Sequence, residues 1–354
     1  MRISEWIARR KRRREMDDRR YERRTGHKRT RKTVHKWKAI LPLFAAAVAA
    51  ALLFSHFFTL HNRQAVVING NAYYAKDNLS VILLLGIDLR GEIENPTGLV
   101  GDNGQSDMIW LIVADYDADT VRILTIPRDT MADVTELYSN GRVNRVVREQ
   151  ICLQYAYGAS SERGCELAVQ TVSDLLDDRV EIDSYLAVSM GAITQIVDAV
   201  GGVNVTMSND YTVYDEVTSE PVSYTAGTTA HMSGTDAYYF VHYRDTSQYS
   251  TNLIRMARQA DFFDAFSAQI TAALREDPRG MFETAQSLES YYTTNLQPFE
   301  IFRLAWLLWR SDSAEWEFTQ LPGTQTHVGD YDQYELDEDA VTELLLDIFY
   351  ESVE

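Results

Sequence analysis

Apolar positions form one long block near the start of the chain and then break into short runs of two different periods. Ala39–Leu60 is 22 mostly apolar residues. As a helix rising about 1.5 Å per residue it spans roughly 33 Å, enough to cross the hydrocarbon layer of a bilayer. Ser55, His56 and Thr59 soften its far end, and Pro42 falls in the first turn, where proline is tolerated. The block is long for a signal-peptide core, and no small-residue cleavage site follows it. The pattern therefore predicts a retained transmembrane helix over 39–60, rather than a cleaved signal or a buried soluble helix.

Beyond it, 61–80 reads as a linker with a hairpin over Val66–Tyr74 that turns at Asn69-Gly70. Val81–Leu85 is a continuous apolar run ending in Gly86, the pattern of a strand buried on both faces. Met108–Ala114 and Val121–Ile126 read as two more strands around Asp115–Thr120. Helical spacing marks Val143–Tyr155, Glu166–Leu176, Met190–Val200 and Asn252–Leu274, and Val180–Val188 and Val203–Met207 read as strands. This alternation predicts an α/β domain over 81–275, a single large mixed sheet with helices on both faces. After Asp277-Pro278 come a helix near Pro298–Trp309, a strand near Trp316–Leu321 and a helix near Asp339–Tyr350. They form a C-terminal extension, 276–354, whose relation to the sheet the pattern leaves open.

Charge orients this arrangement. The chain carries −18, yet residues 1–38 hold 17 Lys+Arg against 5 Asp+Glu, leaving −30 on the other 316 residues. A basic flank stays on the cytoplasmic side of a membrane helix. The expectation is a single-pass plasma-membrane protein with a cytoplasmic tail over 1–38 and an extracellular domain. The run Arg9–Arg14 needs no nucleic acid to explain it, since contact with anionic lipid of the bilayer suffices. Cys152 and Cys165 both fall in the exported part. An oxidising compartment permits a disulfide between them, and that is the expectation here over two reduced, buried thiols.

A hairpin turning at Asp117-Ala118 would pair residues whose numbers sum to 235, placing Asp107 opposite Arg128. Asp88 follows the first buried strand. If that strand points the same way as Val121–Ile126, then Asp88, Asp107, Arg128 and Asp129 gather at one sheet edge, where α/β proteins bind ligands. Two carboxylates and a guanidinium suit a divalent cation on a phosphate. A surface Asp–Arg pair beside a turn is the plainer alternative. Arg244 closes a Tyr/Phe-rich segment, and Arg255 and Arg258 share a helix face. No lysine follows Lys76, so each of the 15 later cationic side chains is an arginine, the residue suited to bidentate phosphate recognition.

Other chemistries fit poorly. Asp117–Val121 resembles an aspartyl-phosphate motif, but those enzymes need a downstream lysine. There is no GxSxG, Walker loop or GxGxxG after a strand, and His61, His231, His242 and His327 lack metal-ligand spacing.

Seven fragments in order resemble the LytR-CpsA-Psr family of cell-envelope proteins. They are Leu83–Arg90, Ser106-Asp107, Ile126–Thr130, Arg142–Asn144, Asp198–Val203, Ser233-Gly234 with Tyr243-Arg244, and Arg255 with Arg258-Gln259. The resemblance implies a phosphotransferase that moves a glycopolymer from a polyprenyl-pyrophosphate carrier to a peptidoglycan hydroxyl. It implies Mg²⁺ on Asp88 and Asp107, and Arg90, Arg128, Arg244, Arg255 and Arg258 on the pyrophosphate. Asp107 and Asp129 are candidates for the general base. Gln105 and His242 stand where the family usually has arginine, and Asn252 where it has aspartate. These departures keep a second expectation open, a non-catalytic envelope protein that binds polyprenyl phosphates or regulates wall synthesis.

Overall fold

The computed structural model describes residues 65–93, 100–214, 220–245, 251–310, 316–329 and 331–353. The expected tail over 1–38 and transmembrane helix over 39–60 lie outside them. Among the described residues, no helix is long and apolar enough to cross a membrane.

The chain enters through a hairpin, β1 (Val66–Ile68) and β2 (Asn71–Ala75), turning at Asn69-Gly70 with both residues at positive φ. The buried runs then form β3 (Leu79–Ile87), β4 (Ser106–Asp115) and β5 (Thr120–Thr125), an antiparallel sheet centre. In β4–β5, Trp110 pairs with Thr125 and Asp115 with Thr120, so partner numbers sum to 235 as the turn at Asp117-Ala118 predicts.

Next, β6 (Met131–Leu137) and β7 (Val143–Gln150) make a separate antiparallel hairpin. This corrects the helix expected over Val143–Tyr155. Only Ile151–Leu153 coil there, as one 3-10 turn. Asn140-Gly141 is a hairpin signal, and Gly141 sits at φ +78°, which side chains resist. Val143 and Val146 are each 60% exposed, so their spacing records strand positions that face water rather than a helix stripe.

After α1 (Ser161–Leu175), β8 (Ser184–Ser189) and α2 (Gly191–Ala199) comes a smaller layer of short strands. These are β9 (Val203–Thr206), β10 (Tyr211–Tyr214), β11 (Pro221–Tyr224) and β12 (Thr229–Met232), joined in the pairs β9–β12 and β10–β11. A capping box at Ser233 and Asp236 opens α3 (Gly234–His242), and α4 (Thr251–Glu276) follows. The C-terminal extension supplies α5 (Pro278–Ser287), β13 (Tyr292–Thr294), α6 (Pro298–Arg310) and β14 (Trp316–Gln320). It ends with the hairpin β15 (Gly323–Val328)–β16 (Tyr331–Leu336), α7 (Glu338–Phe349) and β17 (Tyr350–Ser352), which joins β2.

The main sheet has the order β13-β8-β3-β4-β5-β14, with β8 parallel to β3 and β14 parallel to β5. It is mixed, and the extension supplies both edges, within one unit over Ala65–Glu354. Alternation sorts its side chains. Leu83 and Leu85 of β3, Leu111 of β4 and Leu124 of β5 pack with Ala168 and Val172 of α1 and Leu345 of α7. Ile82, Ile112 and Val121 face the other way onto Leu307 and Leu308 of α6, and Trp110 and Ile123 onto Phe263 of α4. Helices therefore cover both faces, and burying each such large apolar side chain contributes about 1.5–3 kcal/mol. A second core joins Val197 of α2, Val205 of β9, Phe240 of α3 and Phe262 of α4.

Candidate active site

One edge of the sheet collects the ends of three strands. A register shift at Gly86/Ile87 ends β3, and the Asp88 N–H then donates to the Gln105 carbonyl at 2.9 Å. Asp107 opens β4, and Arg128 follows β5 after Pro127. Asp107 uses both carboxylate oxygens. Oδ1 accepts from Arg128 Nη1, and Oδ2 accepts from Arg255 Nη1 of α4. Side-chain exposure is 4% for Asp107, 13% for Arg128 and 3% for Arg255, so this is a buried cluster rather than a surface pair.

The α4 face bearing Arg255 and Arg258 is likewise buried, not solvated. Arg255 Nη2 donates to Asn252 Oδ1 at 2.9 Å, and Arg258 Nη2 donates to the Tyr243 carbonyl. The Arg258 guanidinium lies 5.6 Å from the Tyr243 ring centre and 5.9 Å from that of Phe240. Arg255 Nε and Arg258 Nε and Nη1 are buried with no hydrogen-bond partner among the described residues. Burial, reinforced by repulsion from Arg255, pushes Arg258 down to about 10. Burial also lowers Arg255, against the pull of Asp107. Buried donors without acceptors cost stability, and an anion with several oxygens is the group that would satisfy them.

Asp129 lies beside this cluster, its Oδ1 3.5 Å from Arg128 Nε. Gln150 Nε2 donates to the same Oδ1 at 3.1 Å, while Oδ2 is buried without a partner among the described residues. Burial raises the Asp129 pKa, with Arg128 opposing. Arg244 Nη2 reaches Asp332 Oδ2 of β16 at 3.4 Å, and Gln150 Nε2 also donates to the Asp332 carbonyl at 2.7 Å. Sequence reasoning missed Gln150 and Asp332. No local pattern marks either, because both arrive through tertiary pairing.

Asp88 is further out, half exposed, its Oδ1 3.0 Å from His242 Nε2. The hydrogen bond from His242 holds its pKa below the usual carboxylate range, although burial opposes this. His242 stacks on Tyr238 at 5.1 Å, and the Arg90 guanidinium lies 5.6 Å from the same Tyr238 ring. The Arg90 backbone is fixed by Gly191, where a Cβ would come within 1.9 Å of the Arg90 carbonyl oxygen. Gln105 Oε1 accepts from Arg128 Nη2, so it orients that guanidinium as a neutral acceptor.

The disulfide expectation is overturned, because both cysteines are free and buried. Cys152 Sγ is turned toward the site and accepts from Arg128 Nη2 at 3.0 Å, whereas Cys165 packs in the sheet core. Burial pushes the Cys152 thiol up to about 11.

Two cavities flank the cluster. An apolar one of about 180 Å³ is lined by Leu84, Met108, Ile193, Ile196, Phe262 and Phe266. A polar one of about 730 Å³ is lined by Arg128, Asp129, Gln150, Arg244, Tyr331 and Asp332. The cluster adjoins both, since Arg128 and Asp129 line the polar cavity while Met108, next to Asp107, and Gln259, next to Arg258, line the apolar one. Among the described residues no group of three His, Cys, Asp or Glu gathers as a metal site. With Asp107 committed to two arginines, half-exposed Asp88 is the carboxylate that would suit a hard cation.

A buried arginine cluster at the strand ends of a mixed sheet with helices on both faces places the chain in the α/β class. Residues 57–347 match the LytR_cpsA_psr family, and the chain belongs to it. A Bacillus anthracis protein named polyisoprenyl-teichoic acid–peptidoglycan teichoic acid transferase TagU is 32% identical over 163 residues, 46% of this chain and 44% of that protein. The chain thus aligns with less than half of that relative's length. Two solved structures share the fold. Protein gbs0355 from Streptococcus agalactiae has TM-score 0.60 and 22% identity, covering 77% of this chain and 86% of that one. B. subtilis TagV has TM-score 0.57 and 20% identity, covering 77% and 96%.

Proposed function

We propose that the chain transfers a glycopolymer from a polyprenyl-pyrophosphate carrier to a hydroxyl on peptidoglycan, outside the plasma membrane. One observation carries this reading. Partnerless buried guanidinium donors adjoin a polar cavity, through Arg128, and an apolar one, through Met108 and Gln259. A lipid pyrophosphate bearing a saccharide has the same three parts. The name of the TagU relative, with family membership, supports the substrate class.

In this account Arg128, Arg255 and Arg258 neutralise the pyrophosphate, joined by Arg90, beside Tyr238, and Arg244, beside Asp332. Phosphoryl transfer needs little covalent help from protein and much positioning and charge stabilisation. Asp107 aligns Arg128 with Arg255. Asp129, with one uncommitted oxygen and a raised pKa, serves as the base. Mg²⁺ held by Asp88 would add positive charge on the phosphate oxygens when bound. The segment 39–60 anchors the domain where the lipid-linked donor resides, and 1–38 lies against the cytoplasmic leaflet.

The experiment is a transfer assay with full-length chain in lipid vesicles, a polyprenyl-pyrophosphate-linked polymer and peptidoglycan. Covalent polymer on the peptidoglycan is expected. Retention of the donor without transfer would favour the binding-only reading, which His242 and Gln105 in place of arginines support.

A further inference from the structure

The β15–β16 hairpin from the C-terminal extension reaches back to the site. The Tyr334 N–H donates to the Asp129 carbonyl at 2.9 Å, and Tyr334 bridges Thr130 as a parallel partner. Hairpin and β7 wall the polar cavity, into whose lining they bring Arg148, Gln150, His327, Tyr331 and Asp332. Asp332 in this lining is buried and held at several points. Asp332 is 6% exposed, with Oδ1 3.1 Å from His327 Nδ1 and Oδ2 3.4 Å from Arg244 Nη2. The Gln150 amide ties the Asp332 carbonyl to Asp129 Oδ1. At the rim Tyr331 is 69% exposed.

Fixed donors and acceptors beside an exposed aromatic ring, in about 730 Å³, match a small polar ligand with an apolar face. A lipid tail would strand these polar groups, and a bare phosphate would use the lining's Arg128, Arg148 and Arg244 but leave the acceptors Asp129, Asp332 and Glu149 and the Tyr331 ring without a partner in the ligand. A saccharide meets both conditions. Resting on the transferase reading above, we infer that this cavity is the subsite for the acceptor saccharide, placing its hydroxyl against Asp129.

The assignment to acceptor rather than donor sugar follows from Asp129 Oδ2, the buried oxygen without a partner among the described residues. A base must meet the hydroxyl that attacks, and the donor's own sugar contributes no attacking group. In the step, the hydroxyl oxygen bonds to the phosphorus that carries the polymer, and its proton passes to Asp129 Oδ2. The bond from that phosphorus to the bridging oxygen breaks, and polyprenyl monophosphate leaves with the electron pair. Tyr331 stacks on the sugar ring. Asp332 acts through Arg244 and His327 and is a positioning residue.

Full-length chain in detergent is titrated with soluble peptidoglycan glycan fragments, with and without transfer to them from a lipid-linked donor. Tyr331→Ala, at an exposed site, is expected to weaken fragment binding and raise the acceptor KM about tenfold, a loss of one stacking contact. Donor KM and kcat should stay within about twofold, and Tyr331→Phe should restore binding. Asp332→Asn should raise the acceptor KM more than the donor KM, the smaller donor effect passing through Arg244, a split that simple destabilisation would not give. A raised donor KM in place of the acceptor KM would overturn the assignment and give the cavity to the donor's sugar. Fragment binding that ignores Tyr331 and Asp332 would overturn it too. The titration reads the subsite without turnover. Binding that depends on Tyr331 in a chain that transfers nothing would therefore sink the transferase reading and keep the saccharide subsite.

Discussion

Arg255 of α4 donates from Nη1 to Oδ2 of Asp107 on β4 at 2.5 Å, across 148 residues of sequence. With Arg128 on the other oxygen, one buried carboxylate ties the sheet to α4, the helix that also packs in the second core. Removing it would leave buried guanidinium groups unopposed, a change that typically costs about 3–5 kcal/mol. Asp107→Asn is therefore expected to lower the melting temperature by several degrees in calorimetry. Added inorganic pyrophosphate should recover part of the loss, by supplying the missing negative charge.

Arg128→Lys keeps a positive charge but loses the planar fork that reaches Asp107, Gln105 and Cys152 together. The rate of polymer transfer should fall by about 10²–10³ through loss of transition-state charge stabilisation. Circular dichroism should be unchanged. A variant with full transfer activity would remove Arg128 from the site.

Asp129→Asn separates a base from a structural partner. The native carboxyl binds its proton more tightly than the unfolded one, because burial raises its pKa. Its contribution to stability is then present below the unfolded pKa and lost as pH rises through the folded one. At neutral pH the asparagine variant should melt at or above the wild-type temperature, and that advantage should shrink on acidification through the carboxylate range. Transfer should drop by about 10²–10⁴, the usual worth of a general base. A lower melting temperature at neutral pH would instead mark Asp129 as an ion-pair partner of Arg128.

Much of this edge was legible in the chain. The register that pairs Asp107 with Arg128 follows from two apolar runs and the turn between them, because strand pairing is counted from the turn. The α4 arginines are legible as a shared face but not as buried. Their burial depends on α3 and β4, which arrive from elsewhere in the chain. The β6–β7 hairpin was legible at Asn140-Gly141, yet Val143, Val146 and Val147 also fit a helical stripe, and the turn chemistry decides. Neither the clip from Tyr334 to Asp129 nor the pairing of β14 with β5 has a local signature. The apolar cavity had none either, since Phe262 and Phe266 read as ordinary core residues.

The free thiols give a chemical check. Cys152, pushed up to about 11 by burial, should stay protonated and react slowly with iodoacetamide in the folded chain. After denaturation without reductant, intact mass should show two alkylations. A mass lacking both would mean a disulfide, and with it a different setting for Arg128.

The arginine cluster's role as a lipid-pyrophosphate clamp is tested most directly by native mass spectrometry of full-length chain extracted from membranes in mild detergent. The account predicts an added mass equal to a polyprenyl phosphate or pyrophosphate, present on the wild-type chain. It should be absent from Arg258→Ala, which removes the buried donors Nε and Nη1. A wild-type chain that carries no such lipid, and takes up none when polyprenyl pyrophosphate is supplied, would contradict it.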